Sequence, residues 1–87
     1  MTMPKFRDVL QAYVDAAYAE CCIRNHGAGR CRVREDGGEG GLYWVRVHGM
    51  CVSPESLVGK LRRICHPGLV GRIELNGSRN YVKIRSA

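Results

Sequence analysis

The sequence predicts an α+β fold with two layers in the order α-β-β-α-β-β, in which a four-stranded antiparallel sheet carries two helices on one face. Two segments repeat apolar residues at helical spacing, and two pairs of segments alternate apolar with charged residues around turn signals. The 87 residues suffice for one domain of two packed layers. We therefore predict that residues 1–87 form a single small basic domain.

The first element is a helix predicted over residues 4–24. Pro4 suits the first helical position, and Asn25 and Gly27 supply a stop signal. The apolar stripe consists of Phe6, Val9, Leu10, Tyr13, Val14, Ala17 and Cys21. The polar side is predicted to consist of Lys5, Asp8, Gln11, Asp15 and Glu20.

A β-hairpin follows this helix. Residues 29–34 and residues 42–48 both alternate with the period of two that is typical of strands. The acidic, glycine-rich segment 35–41 between them predicts a turn.

The second helix is predicted to begin after Ser53, which suits the N-cap position, with Pro54 in its first turn. Leu57, Leu61 and Ile64 form its apolar stripe. The pair Pro67-Gly68 ends it.

A second hairpin is predicted from residues 71–75 and 78–85, around Asn76-Gly77. A two-residue loop at this place pairs Glu74 with Arg79 and Arg72 with Tyr81. The two hairpins resemble each other weakly, which suggests a degenerate α-β-β repeat over 4–48 and 53–85. The order of the strands in the sheet stays open.

Strand alternation divides the sheet residues into an inner and an outer set. The inner set is Cys31, Val33, Tyr43, Val45, Val47, Ile73, Leu75, Val82 and Ile84. The outer set holds seven of the chain's 14 cations, the only Trp and a single acid, Glu74. The positive charge of the chain, +6 in total, is therefore concentrated on one sheet face.

Nucleic acid is the partner that best suits this face, because guanidinium groups neutralise phosphates and exposed aromatic rings stack on unpaired bases. We predict a small basic protein that binds RNA or single-stranded DNA. The predicted site consists of Arg30, Arg32, Arg34, Trp44, Arg46, His48, Arg72, Tyr81, Lys83 and Arg85.

Other functions stay open. Compact chains of this kind also serve as inhibitors or adaptors that bind proteins, such as a phage- or mobile-element-encoded inhibitor of a host nucleic-acid-processing complex. A ribonuclease would use His26 or His48 as acid or base. Arginines on strands also occur as ordinary solvated surface. No phosphate-binding loop, paired carboxylates or nucleophile motif is present, so we predict no enzyme.

The five cysteines raise the question of a metal site. Cys21, His26 and Cys31 have the spacing C-x4-H-x4-C, which resembles the last three ligands of a zinc knuckle, a retroviral-type nucleic-acid module. The fourth ligand of that family falls at position 18, where this chain has Tyr18. Cys21 and Cys31 also fit the core pattern, which favours core packing, so we predict no metal and no other cofactor.

The odd number of cysteines and the lack of a signal peptide or an apolar membrane span predict reduced thiols in a cytoplasmic protein without membrane contact. Monomer and homodimer stay equally open.

Overall fold

The described part of the chain forms two helices and four strands in the predicted order. The computed structural model describes residues 5–21, 31–47 and 52–87. The elements are α1 (Phe6–Cys21), β1 (Val33–Glu35), β2 (Leu42–Arg46), α2 (Pro54–Ile64), β3 (Val70–Leu75) and β4 (Tyr81–Ser86). Among these residues, neither helix is long and apolar enough to cross a membrane.

The four strands form one antiparallel sheet in the order β1-β2-β4-β3. This confirms the predicted fold class and supplies the strand order that the sequence left open. The two hairpins join where β2 pairs with β4, with Trp44 opposite Lys83 and Val45 opposite Val82. The outer residues of both hairpins therefore lie on one continuous surface.

One hydrophobic core fills the space between the sheet and the helices. Eight of the nine residues predicted to face inward are buried, and the ninth, Leu75, is partly buried. Leu10 and Val14 of α1 and Leu57 and Leu61 of α2 are fully buried in the same cluster. Both helices therefore pack on the same side of the sheet, as predicted.

Helix α1 differs from its prediction at Gln11, which was expected on the polar side. Gln11 is 7% exposed and contacts the segment that leads into β1. Its Nε2 donates to the carbonyl of Cys31 (2.8 Å), and its Oε1 accepts from the amide of Val33 (2.8 Å). The helix begins at Phe6, whereas the predicted limits, residues 4 and 24, lie outside the described residues.

Helix α2 begins and ends where the sequence predicts. The Ser53 side chain accepts a hydrogen bond from the amide of Ser56, and Pro54 occupies the first turn. The helix ends at Ile64, just before Pro67-Gly68. At its C-terminal end, the Arg62 guanidinium donates to the carbonyl of Ile73 on β3 (2.7 and 3.2 Å).

The register predicted for the second hairpin is wrong. Glu74 pairs with Lys83 instead of Arg79, and Arg72 pairs with Arg85 instead of Tyr81. The Asn76 side-chain oxygen accepts from the amides of residues 80 and 81, which stabilises a wider turn than Asn-Gly alone. Arg79 takes the left-handed conformation there, with a φ of 60°.

The shift in register does not move any side chain to the other face of the sheet. The observed pairing differs from the predicted one by an even number of residues, and strand faces alternate with a period of two. Ile73 and Ile84 therefore still face the core, while Arg72 and Lys83 still face away from it.

Candidate nucleic-acid interface

The face of the sheet opposite the helices, which we call the open face, has Trp44 near its centre. The strand register aligns four side chains across this face in the order Arg34, Trp44, Lys83 and Glu74. One step along the strands, Arg46 lies opposite Tyr81. One step in the other direction, Arg85 lies between Leu42 and Arg72.

Contacts on several sides hold the Trp44 indole in place. Its ring meets the Tyr81 ring edge-on, with centroids 6.1 Å apart and an interplanar angle of 89°. The Lys83 ammonium lies 5.7 Å from the centroid of the indole, within cation–π distance. The indole N–H donates to Oδ1 of Asp36 (3.0 Å). Trp44 is therefore a positioned side chain that is only partly buried.

Asp36 links Trp44 to the tip of the first hairpin. Its second oxygen, Oδ2, accepts from the amides of Gly38 (3.1 Å) and Glu39 (2.8 Å). The hydrogen bond from Trp44, followed by those two amides and the charge of Lys83, lowers the pKa of the Asp36 carboxyl below its ordinary value of 3.8. The carboxylate form therefore holds both the turn and the indole at neutral pH.

The tip of this hairpin folds back toward the open face. Gly41 ends the turn with a φ of 78°, in the region that favours glycine. The Glu39 carboxylate then pairs with the Arg85 guanidinium (3.0 Å). Asp36 and Glu39 thus add two acids to a face where the alternation pattern placed only Glu74. Sequence patterning missed them because loop residues follow no strand periodicity.

Leu42 is a further residue of the open face, although the predicted outer set did not include it. It lies two residues before Trp44 and therefore on the same side of β2. It is nevertheless 4% exposed and does not belong to the main core cluster. Its register partner Arg85 is the arginine that pairs with Glu39.

Free positive charge on the open face is concentrated on the β1–β2 half. Arg72 pairs with Glu74 (3.7 Å), and Arg85 pairs with Glu39. Within the described ranges, Arg32, Arg34 and Arg46 are exposed and form no ion pair. Of these three arginines, the first lies just before β1, the second on β1 and the third at the end of β2.

A shallow cleft lies beside Trp44 on the same half of the sheet. Its volume is about 420 Å³, within the range of roughly 300–1,000 Å³ that small-molecule sites occupy. The lining residues are Arg34, Glu35, Asp36, Gly37, Trp44 and Tyr81. The cleft thus combines two aromatic rings, one guanidinium and carboxylate acceptors.

The structure brings together half of the predicted site: Arg34, Trp44, Arg46, Tyr81 and Lys83 surround the cleft or adjoin it. Arg72 and Arg85 share the face but form ion pairs at its other end. Arg30 and His48, like the alternative acid–base residue His26, lie outside the described residues.

The described cysteines, and His66 as the described histidine, have contacts that suit a structural role. Cys31 is buried in the core, and the Cys21 thiol donates to the carbonyl of Ser56 (3.6 Å). Burial raises the pKa of the Cys65 thiol to about 11, which disfavours its thiolate. Nδ1 of His66 accepts from the amide of Gly68 (2.9 Å). In residues 5–21, 31–47 and 52–87, no three metal-ligating side chains cluster.

The chain matches no model of a known protein family, no curated protein and no solved structure.

Proposed function

We propose that this protein binds single-stranded nucleic acid on the β1–β2 half of the open face, with one base in the cleft beside Trp44. The observation that carries the proposal is the combination of a positioned, partly exposed Trp44 with two unpaired arginines, Arg34 and Arg46, beside it.

Stacking on Trp44 supplies the first part of the binding energy. Base–aromatic stacking contributes about 1–3 kcal/mol per base, and it accepts every base because each has a π face. The Asp36 hydrogen bond and the Tyr81 contact order the indole before a ligand arrives. Less side-chain entropy is then lost on binding, which favours affinity.

Phosphate contacts supply the second part. Arg34 lies across the strand pair from Trp44, and Arg46 lies two residues further along β2 on the same face. Their guanidinium groups have no carboxylate partner among the described residues, so binding a phosphate breaks no ion pair there. Each guanidinium can therefore neutralise one phosphate of a strand whose base stacks on Trp44.

The acids of the cleft fit the same ligand. Carboxylates accept hydrogen bonds from the exocyclic amino groups of bases. Glu35 and Asp36 line the cleft, and Asp36 keeps its charge because the pKa of its carboxyl is lowered. A duplex keeps its bases stacked and paired, so we infer that unpaired strands are the preferred ligand.

The test measures binding of a fluorescently labelled single-stranded oligonucleotide, as RNA and as DNA, by anisotropy at about 50 mM salt. We expect Trp44→Ala to weaken binding by about 1–3 kcal/mol, and Trp44→Phe to weaken it less because a ring remains. The loss on a duplex of the same sequence should be smaller. Circular dichroism checks that each variant is folded.

A matched control separates the site from general charge. Arg34→Ala should weaken binding, whereas Arg63→Ala removes the same charge from an exposed position on α2 and should have little effect. Equal losses in the two variants, or no binding by the unmodified protein at this salt concentration, would refute the proposed site. No binding would instead favour a protein partner for the open face.

A further inference from the structure

The two outer edges of the sheet differ in how their backbone groups are satisfied. On β1, the amide and the carbonyl of Val33 both point away from β2, and α1 binds both: Gln11 takes the amide and Arg7 Nε donates to the carbonyl (2.8 Å). Side chains of α1 thus occupy the place that a further strand would take. At Val33 these side chains block strand addition.

The outer edge of β3 is largely open. The Arg62 bond shows that the Ile73 carbonyl points away from β4, and in an antiparallel ladder alternate residues point the same way. The amide of Ile73 and both backbone groups of Leu75 therefore face outward as well. Within the described residues, these groups have no hydrogen-bond partner.

A groove follows this open edge. Its volume is about 620 Å³, and its lining includes Val70, Ile73, Arg72 and Glu74 along β3, with Arg62 and Cys65 from the end of α2. Side chains of both sheet faces line it, which is the arrangement a docked strand requires. Leu69, which directly precedes β3, is the one large apolar side chain classed as exposed in the described part of the chain.

We propose that this groove binds the same edge of a second copy of the chain, antiparallel and centred on Ile73. The segment Arg72-Ile73-Glu74 is complementary to itself in that register. A two-fold axis at Ile73 places each Arg72 opposite the Glu74 of the other copy and the two Ile73 side chains opposite each other on the core side. Charges that attract each other across a two-fold axis must be arranged as such a palindrome.

The backbone of β3 fits this pairing. The Ile73 amide of each copy donates to the Ile73 carbonyl of the other. The Ile73 carbonyl already accepts from Nε and Nη2 of Arg62, so the bond across the interface replaces the longer of these two, from Nε (3.2 Å). Arg72 and Glu74, now 3.7 Å apart in one chain, each gain a partner across the interface.

The dimer has a consequence for the open face, although it does not depend on the proposed function. Antiparallel extension keeps equivalent faces on the same side, so two four-stranded sheets become one continuous sheet. Its two Trp44 side chains are separated by five strand spacings, about 24 Å. One single strand can then reach both clefts, which raises its affinity through effective concentration.

Sedimentation equilibrium without nucleic acid tests the dimer. We expect the unmodified protein to dimerise reversibly as its concentration rises. Glu74→Arg or Arg72→Glu alone places like charges opposite each other twice, and each should raise the dimer dissociation constant at least about tenfold. Mixing these two variants should restore association as a heterodimer, and the double variant R72E/E74R should form a homodimer again.

The controls make the outcome decisive. Arg63→Glu reverses a charge on α2 away from this edge and should leave the dissociation constant unchanged, and thermal melts show whether each variant is folded. A monomeric unmodified protein at all concentrations, or single variants that fail to associate when mixed, would overturn the proposal. Neither outcome bears on the binding test, because Trp44 and Arg34 lie on β2 and β1, away from the β3 edge.

Discussion

At the scale of single residues, Asp36 connects the hairpin tip to the open face. One carboxylate accepts hydrogen bonds from the Trp44 indole on the open face and from two backbone amides of the tip. Position 36 lies in an acidic, glycine-rich turn, so composition alone marks it as a solvent-exposed loop residue. Its role depends on the distance to Trp44, which only the folded hairpin sets.

The lowered pKa of Asp36 leads to a prediction for the behaviour of Trp44 in acid. Because the carboxyl has a lower pKa in the folded than in the unfolded chain, its contribution to stability is present above pH 3.8 and is lost as the pH falls through the lower folded value. We expect the Trp44 fluorescence of the folded protein to change in that acid range, as the indole loses its charged acceptor.

Two variants check this assignment. Asp36→Asn cannot titrate and should abolish the acid transition, whereas Asp8→Asn removes an exposed carboxyl from α1 and should leave it in place. Trp44 is the only tryptophan, so the emission reports on this site alone. An unchanged acid transition in the Asp36→Asn variant would contradict the assignment.

At the scale of elements, the helices cover the core, and their side chains also satisfy backbone groups at the outer edges of the sheet. Gln11 and Arg7 satisfy the backbone beside β1, and Arg62 satisfies one carbonyl of β3. The sequence pattern placed Gln11 on the solvent side, because a helical wheel separates apolar from polar residues and ignores what a neighbouring strand requires. The apolar stripe, the N-cap at Ser53 and both hairpins were predictable because they depend on local spacing.

The contacts of Gln11 predict a large effect for a conservative substitution. Gln11→Met keeps the length and volume of the side chain but removes the acceptor of the buried Val33 amide and the amide donor to the Cys31 carbonyl. An unsatisfied buried backbone group costs about 1–3 kcal/mol, so the unsatisfied Val33 amide alone should lower the free energy of unfolding by about 1–3 kcal/mol, measured by urea denaturation.

The matched control for this substitution is Ala12→Met, at the next and exposed position of the same helix. It introduces the same side chain without removing a hydrogen bond, and it should change the free energy of unfolding by no more than about 0.5 kcal/mol. A loss for Gln11→Met that is no larger than for Ala12→Met would show that water replaces the hydrogen bonds of Gln11.

At the scale of the whole molecule, pairing partners decide which arginines remain free. The sheet face of each strand residue was predictable from alternation. This assignment is correct despite the wrong register of the second hairpin, because the register error is an even number of residues. The strand order and the positions of Asp36 and Glu39 were not predictable, since they depend on contacts between segments far apart in sequence. These contacts divide the open face into a β1–β2 half with free arginines and a β3–β4 half in which Arg72 and Arg85 are paired with acids.

This division predicts how salt affects the proposed binding. For a single strand, log K decreases as log salt increases. This slope becomes shallower by about 0.7 for each phosphate that the protein no longer neutralises. The double variant Arg34→Ala/Arg46→Ala should therefore make the slope shallower by about 1.4. Arg85→Ala removes one arginine from the same face and should make the slope shallower by less than about 0.7, because Glu39 already neutralises Arg85.

The ion pair between Arg85 and Glu39 gives the sharper form of this prediction. Glu39→Gln removes only the acid, so it should release the Arg85 guanidinium for a phosphate, strengthen binding and steepen the slope by up to about 0.7. The substitution Glu20→Gln, on α1, makes the same change in net charge away from the open face. If the two variants change the slope equally, net charge governs binding, and the division of the open face has no role in it.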